Sequence, residues 1–164
     1  MKNKIYIIFL SCFLNFTNLF AEDILIKAQD ITLDKEKKIS IFKKNVSVET
    51  QDKKITSQFA EYNKIKEQII LKKEIIAQDK FENKIETDYA TYDNLNNIFK
   101  TEGSTTLITS KSYKIKGADI KFDGKNKIIK SDKASILTDL SGNKIYLENF
   151  EYLSAKKIFK SIGL

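Results

Sequence analysis

The sequence predicts an all-β fold of antiparallel strands, built from repeating two-strand units. Three observations carry this. The first is a fixed period: Lys-Ile stands at 54–55, 84–85, 114–115 and 144–145, each pair thirty residues after the last. A period of this size marks a repeat architecture, in which each unit buries its apolar face against its neighbours. The second is the alternation of apolar and polar residues within a unit. The patterned positions are mostly β-branched or aromatic, and no 3.6-residue rhythm is sustained, so strands are favoured over helices. The third is turn chemistry at regular intervals, including Asp123-Gly124 and Ser141-Gly142-Asn143.

The chain opens MKNKIYIIFLSCFLNFTNLFAED, with Lys2 and Lys4, an apolar run from Ile5 to Leu14, and Leu19-Phe20-Ala21 before Glu22. This is the order of a secretory signal peptide, with cleavage expected after Ala21 and a single domain over 22–164. The apolar run is short for a membrane span, and a retained anchor over Ile5 to Phe20 is the alternative. Lipoprotein processing at Cys12 is disfavoured, because it would leave apolar Phe13 to Phe20 exposed. Cys12 is the only Cys, so the exported chain would carry no disulfide even where one could form.

Each unit reads the same way. From Ile55 the inward positions run Ile55 and Ser57, then Ala60 and Tyr62 after a phase slip. The slip recurs at Ile85, Thr87, Ala90 and Tyr92, which predicts a β-bulge at a fixed place. Polar tips follow at Asn63 to Gln68, Asp93 to Asn97 and Asp123 to Lys127. The second strand passes through Leu71 to Ile76, Thr105 to Thr109 or Ala134 to Thr138. Another tip closes the unit at Gln51 to Lys53, Asp79 to Asn83 or Leu140 to Asn143. Short tips make successive strands antiparallel, and a period of two gives one apolar face.

Two columns are expected to stack on that face beside the Lys-Ile isoleucines. One is Tyr62, Tyr92, Phe122 and Tyr152. The other is Ile39, Ile69, Ile98, Ile128 and Ile158, which contains one step of twenty-nine. Each fully buried member would contribute roughly 1.5–3 kcal/mol. The plainest reading of these columns is an ordinary core. The Lys before each inner Ile reads as a solvated outer face, and the Asp or Asn after each aromatic as a turn residue.

Composition excludes some functions. There are 29 basic and 22 acidic residues, for a formal charge of +7, and every basic residue is Lys. Lys, Asn, Ile, Phe and Tyr have AT-rich codons, which discounts the charge as a sign of a polyanion partner. A phosphate-binding surface normally includes Arg for bidentate contacts, so no nucleic-acid partner is expected. No His is present and the only Cys lies in the leader, so the usual nucleophile–base pairs and common metal ligands are missing. With no Gly-rich phosphate loop either, neither catalysis nor a cofactor or metal is expected.

The stretches SQFAEYNKIKEQIILKKEIIAQ, TDYATYDNLNNIFKTEGSTTLI and KGADIKFDGKNKIIKSDKASIL share a pattern of Ala-x-aromatic-Asp/Asn, a tip, an apolar strand and a further turn. Over roughly residues 24–164 this resembles the OstA-like family, the periplasmic jelly-roll proteins of lipopolysaccharide transport. Phe42-Lys43-Lys44-Asn45-Val46 looks like the family's Gly-Asn-Val motif, with Lys44 in place of Gly. The resemblance implies an open, twisted β-jelly roll with a greasy interior, in which lipopolysaccharide acyl chains ride while the sugars stay in water. It implies joining to other jelly rolls end to end by strand addition, and contact with outer-membrane translocon components. The groove residues it would assign are Ile55, Tyr62, Ile69, Ile85, Tyr92, Ile98, Ile115, Phe122, Ile128 and Ile145. Lys at the groove mouth would meet lipid phosphates, with no particular Lys distinguished.

Family members include a soluble bridge, an inner-membrane-anchored protein and the N-terminal domain of the outer-membrane translocon. The last is the expectation here, with the bridge next, although the Cys that often tie such domains to their barrel are missing. Ile158 to Leu164 matches the start of a strand, so the chain is expected to end on a docking edge or inside a longer polypeptide. Two alternatives remain: a structural or adhesive β-repeat protein with a closed core, and a scaffold that assembles end to end without cargo.

Overall fold

The computed structural model describes residues 23–161. The proposed signal peptide lies outside the described residues. The described chain is all strand and turn: β1 (Leu25–Lys27), β2 (Asp30–Asp34), β3 (Ile39–Glu49), β4 (Lys53–Asn63), β5 (Gln68–Asp79), β6 (Lys84–Asp93), β7 (Ile98–Thr101), β8 (Ser104–Ile108), β9 (Lys114–Ala118), β10 (Lys121–Asp123), β11 (Ile128–Ser131), β12 (Ser135–Thr138), β13 (Lys144–Leu147), β14 (Phe150–Leu153) and β15 (Ile158–Lys160). All pair antiparallel in one sheet.

That sheet forks. β3 to β6 are long strands that serve both halves. Beyond them one wing continues through β7, β10, β11, β14 and β15, and the other through β8, β9, β12 and β13. The bend between wings falls where the sequence slips phase. Register shifts occur between Lys43 and Val46, between Thr56 and Phe59, and between Lys72 and Ile75. A bulge bends its strand and adds twist, so three aligned bulges fold the long strands into an open jelly roll. From β7 onward the chain breaks at the same bend, and each two-strand unit becomes four short strands. The corners use left-handed backbone: Lys44 at φ 62°, Glu74 at 52° and Gly103 at 78°. Lys44 thus takes up the conformation that Gly adopts most readily.

The tips repeat as strictly as the strands. Asp34, Asn63, Asp93 and Asp123 each accept, through Oδ1, a backbone N–H three residues on, at 2.9–3.0 Å. Each of these loops ends in a left-handed residue, Lys38, Glu67, Asn97 or Lys127. The tips are also bonded to one another. The amides of Lys64, Asn94, Gly124 and Ser154 donate to the carbonyls of Lys38, Glu67, Asn97 and Lys127 at 2.8–3.0 Å. Gly124 is glycine for a packing reason, since a Cβ there would lie 2.2 Å from the buried Asn97 side chain. It is not the left-handed position that an Asp-Gly hairpin signal suggests.

Buried hydroxyls line the bend. Thr105 Oγ1 bonds Thr101 Oγ1 at 2.8 Å, and Ser131 Oγ donates to the Ala118 carbonyl at 2.7 Å. Gly117 falls thirty residues after Thr87 and sixty after Ser57. A Cβ at Gly117 would meet Ser135 Oγ at 2.3 Å. Gly117→Ala should therefore destabilise the fold by about 1–3 kcal/mol, the usual cost of overpacking. Ser135→Gly in the same chain should recover part of that loss, read as non-additivity in urea unfolding. Additive losses would show that the seam is not packed as described.

Candidate functional site

The two wings face each other through apolar ladders made of directly opposed residues. On the second wing the pairing runs Ile26, Val48, Ile55, Ala77, Ile85, Leu107, Ile115, Leu137, Ile145. On the first it runs Tyr62, Ile69, Tyr92, Phe99, Phe122, Ile129, Tyr152, Phe159. Ile55, Ile69, Tyr92, Phe99, Leu107 and Ile115 are fully buried. The ladders meet around a cavity of about 10 Å³, lined by Ala77 and Ile85 from one wing and Phe99, Phe122 and Ile129 from the other. That is room for about one water molecule. Around this cavity the side chains of the two ladders pack directly against each other.

Most of the expected groove residues lie on these ladders. Ile55, Ile69, Ile85, Tyr92, Ile115 and Phe122 are buried there. Tyr62 is half-buried on the same ladder, its hydroxyl donating to Glu67 at 2.8 Å. Burial first, and then Glu67, push this phenol up to about 12. Ile145 is on the ladder too, but on the last strand of its wing, where it is exposed. Ile98 and Ile128 stand elsewhere. They pair with Asp93 and Asp123 and project from the opposite face, half-buried.

The inward positions beside them are Phe99 and Ile129. Following isoleucine through a step of twenty-nine crosses to the wrong face, because side chains alternate at every residue. The signal was present in the sequence: Ile69, Phe99, Ile129 and Phe159 keep an unbroken step of thirty, as do Ala77, Leu107 and Leu137. The lysines 54, 114 and 144 are exposed on the outer face, and Lys84 is half-buried there.

Opposite the bend, the tips of the two wings come together. Lys53, only 5% exposed, enters the interior at the start of β4. Its ammonium lies 4.7 Å from the Tyr92 ring centroid and 5.6 Å from that of Phe122, and donates to Asn97 Oδ1 and to the Tyr92 hydroxyl. Beside it Asp52 forms ion pairs with Lys80 of its own wing at 2.6 Å and with Lys127 of the other wing. The mouth between the wings is thus fastened by Lys53 on the Asn97 tip and by Asp52 on the Lys127 tip. Sequence reading took these residues as turn polar groups, since nothing local pairs positions 52 and 127. No group of His, Cys, Asp and Glu that could hold a metal occurs among the described residues.

Among the described residues the sheet ends in unpaired edges: β1 and β2 each pair with β3 alone, β13 with β12 alone, and β15 with β14 alone. Exposed apolar side chains gather there: Leu25, Ile31 and Leu33 at one end, Ile145, Tyr146 and Ile158 at the other.

Fold and site together define an open-edged β-jelly roll with an apolar interior, one ladder of which runs from edge to edge. Residues 18–132, well over half of the chain, match the family model described as lipopolysaccharide-assembly, LptC-related. The chain belongs to that family of lipopolysaccharide-transport jelly rolls, whose members are transport components and not enzymes. No curated protein matches it. Among solved structures it is similar to LptH from Pseudomonas aeruginosa, described as the LptA homologous periplasmic component of the conserved lipopolysaccharide transport device. Identity is 14%, over 85% of this chain and 82% of that one, with a TM-score of 0.33. The family assignment rests on the matched family model.

The tip carboxylates give the fold an acid limit. Burial pushes Asp52 up, but Lys127 and Lys80 outweigh it and hold the carboxyl below its ordinary 3.8. Asp93 and Asp123 are likewise lowered, as bonds from Asn96 and Asn126 overcome burial. A depressed carboxylate stabilises the fold above its unfolded value, and the contribution is lost as pH falls through the folded value. The urea midpoint should therefore be flat above about pH 5 and fall below 3.8, with a shallower fall in Asp52→Asn. An equally steep fall in that variant would show that the Asp52 ion pairs carry none of the effect.

Proposed function

We propose that the protein is a periplasmic lipopolysaccharide-transport module, exported by its N-terminal segment, that holds lipid acyl chains between its two apolar ladders. The carrying observation is the second-wing ladder, which runs without a break from Ile26 in β1 to Ile145 in β13, with the first-wing ladder beside it from Tyr62 in β4 to Phe159 in β15. A closed barrel would seal such an interior. An open one extends it into any jelly roll added at its edge, because a free strand offers a row of unpaired amides and carbonyls. Burying acyl chains there is worth about 0.8 kcal/mol per methylene. Each end of the molecule would thus meet another jelly roll of the transport chain, including the outer-membrane translocon domain.

One observation favours a different reading. The closed interior, with its cavity of about 10 Å³, is what a structural β-repeat protein would have. Photo-crosslinking in the cell envelope separates the two. A probe at Ile115, fully buried on the ladder, should yield lipopolysaccharide adducts, and one at exposed Lys116 on the same strand should not. Equal or absent adducts from a folded, exported protein favour the structural reading.

Edge joining is tested separately. Tyr146 in β13 is 66% exposed on an unpaired edge. Tyr146→Pro should abolish concentration-dependent oligomers in analytical ultracentrifugation while circular dichroism stays that of the wild type. Oligomers that survive the proline place the contact elsewhere.

A further inference from the structure

Resting on the acyl-chain reading, the closed interior raises a question of entry. The cavity of about 10 Å³ where the ladders meet beneath Lys53 admits no acyl chain, so the wings have to part at that point before cargo passes between the ladders. At the bend the wings are joined by the long strands β3 to β6, whereas at the mouth they are held by side chains. The Asp52 carboxylate sits between the ammoniums of Lys80 and Lys127, and its side chain is only 15% exposed. Lys127 is at the tip of β10–β11 on one wing, and Asp52 precedes β4 on the other. Two lysines converging on one partly shielded carboxylate present the donors that an anionic oxygen cluster needs.

We propose that Asp52 is a built-in occupant of a phosphate site, and that a phosphate monoester on an acylated lipid takes its place between Lys80 and Lys127, unfastening the mouth as the acyl chains enter. Such a phosphate carries a charge of about −1.5 to −2 with several acceptor oxygens, against a single charge on Asp52. It can satisfy both ammoniums without the covalent tie that links Asp52 to the second wing. Lys53 remains beneath, over the Tyr92 and Phe122 rings, where the phosphate end of the lipid meets the apolar ladders. Cation–π contacts of this kind keep an ammonium at an apolar boundary. Lipid lacking phosphate would have no means of displacing Asp52.

The test uses the exported protein with spin labels at exposed Gln51 and Lys125, one on each side of the mouth, in a Cys12→Ser background. Probes are a bisphosphorylated acylated glucosamine disaccharide, the same lipid stripped of phosphate, and inorganic phosphate. The phosphorylated lipid should lengthen the interlabel distance, and inorganic phosphate alone should not. Asp52→Asn should lengthen it without lipid. Lys80→Gln with Lys127→Gln should weaken binding of the phosphorylated lipid roughly tenfold and leave the stripped lipid no weaker.

Equal losses for both lipids, or an Asp52→Asn protein that stays closed, overturn the proposal. Opening by inorganic phosphate alone overturns the lipid assignment in favour of a free anion. If the wild type binds neither lipid, the acyl-chain reading itself fails, which differs from binding without phosphate discrimination.

Discussion

The structure depends on register. One ladder of opposed apolar residues runs from β1 to β13 and the other from β4 to β15, and each stays on its face because every unit spans thirty residues, an even number. A slip of one residue in the pairing of a strand, where no bulge absorbs it, would turn that strand's inward side chains out. The tips prevent this. Each first-wing tip has the same length, the same left-handed closing residue and, in four of them, the same Asp or Asn bond to the turn. The tip-to-tip amide bonds then hold one unit against the next where the strands no longer pair.

The bend is the second consequence of the repeat. Alternation fails at the same place in each unit, and three bulges there fold the long strands between the wings. Short polar side chains are buried at this seam because the broken ladder leaves carbonyls to be met. Ser131 reaches the Ala118 carbonyl and Thr101 the amide of Ile120. Where two such positions converge, one has to give up its side chain, which is why Gly117 lies against Ser135.

Much of this was legible in the sequence, since a period, an alternation and a phase slip are local features. The strand units, the tips, the antiparallel pairing and the outer lysines all follow from them. The inward phase after each tip was not read correctly at Ile98 and Ile128. Residue identity there competed with strict spacing, and adjacent Ile-Phe and Ile-Ile pairs offer an apolar side chain to both faces. The fork into two wings was also beyond local reading, as it depends on which half of β6 each later strand joins. The pairing of Asp52 with Lys127 has a separation of 75 residues and no motif, so only the closed fold brings them together.

A closed interior and a transport role are compatible on energetic grounds. Parting the wings exposes both ladders, and the loss grows with the apolar area returned to water. An empty groove held open would bear that cost continuously and would present a large apolar patch to the periplasm, a known liability for association. Side chains from opposite wings that pack against each other in the absence of cargo avoid this. On the proposed reading, acyl chains entering between them would replace the lost contacts methylene by methylene, so that the open state would be stable only when filled. The proposed edge joining would extend the same logic beyond one molecule, because a neighbour that continues the ladders would let cargo move on without either interior standing empty.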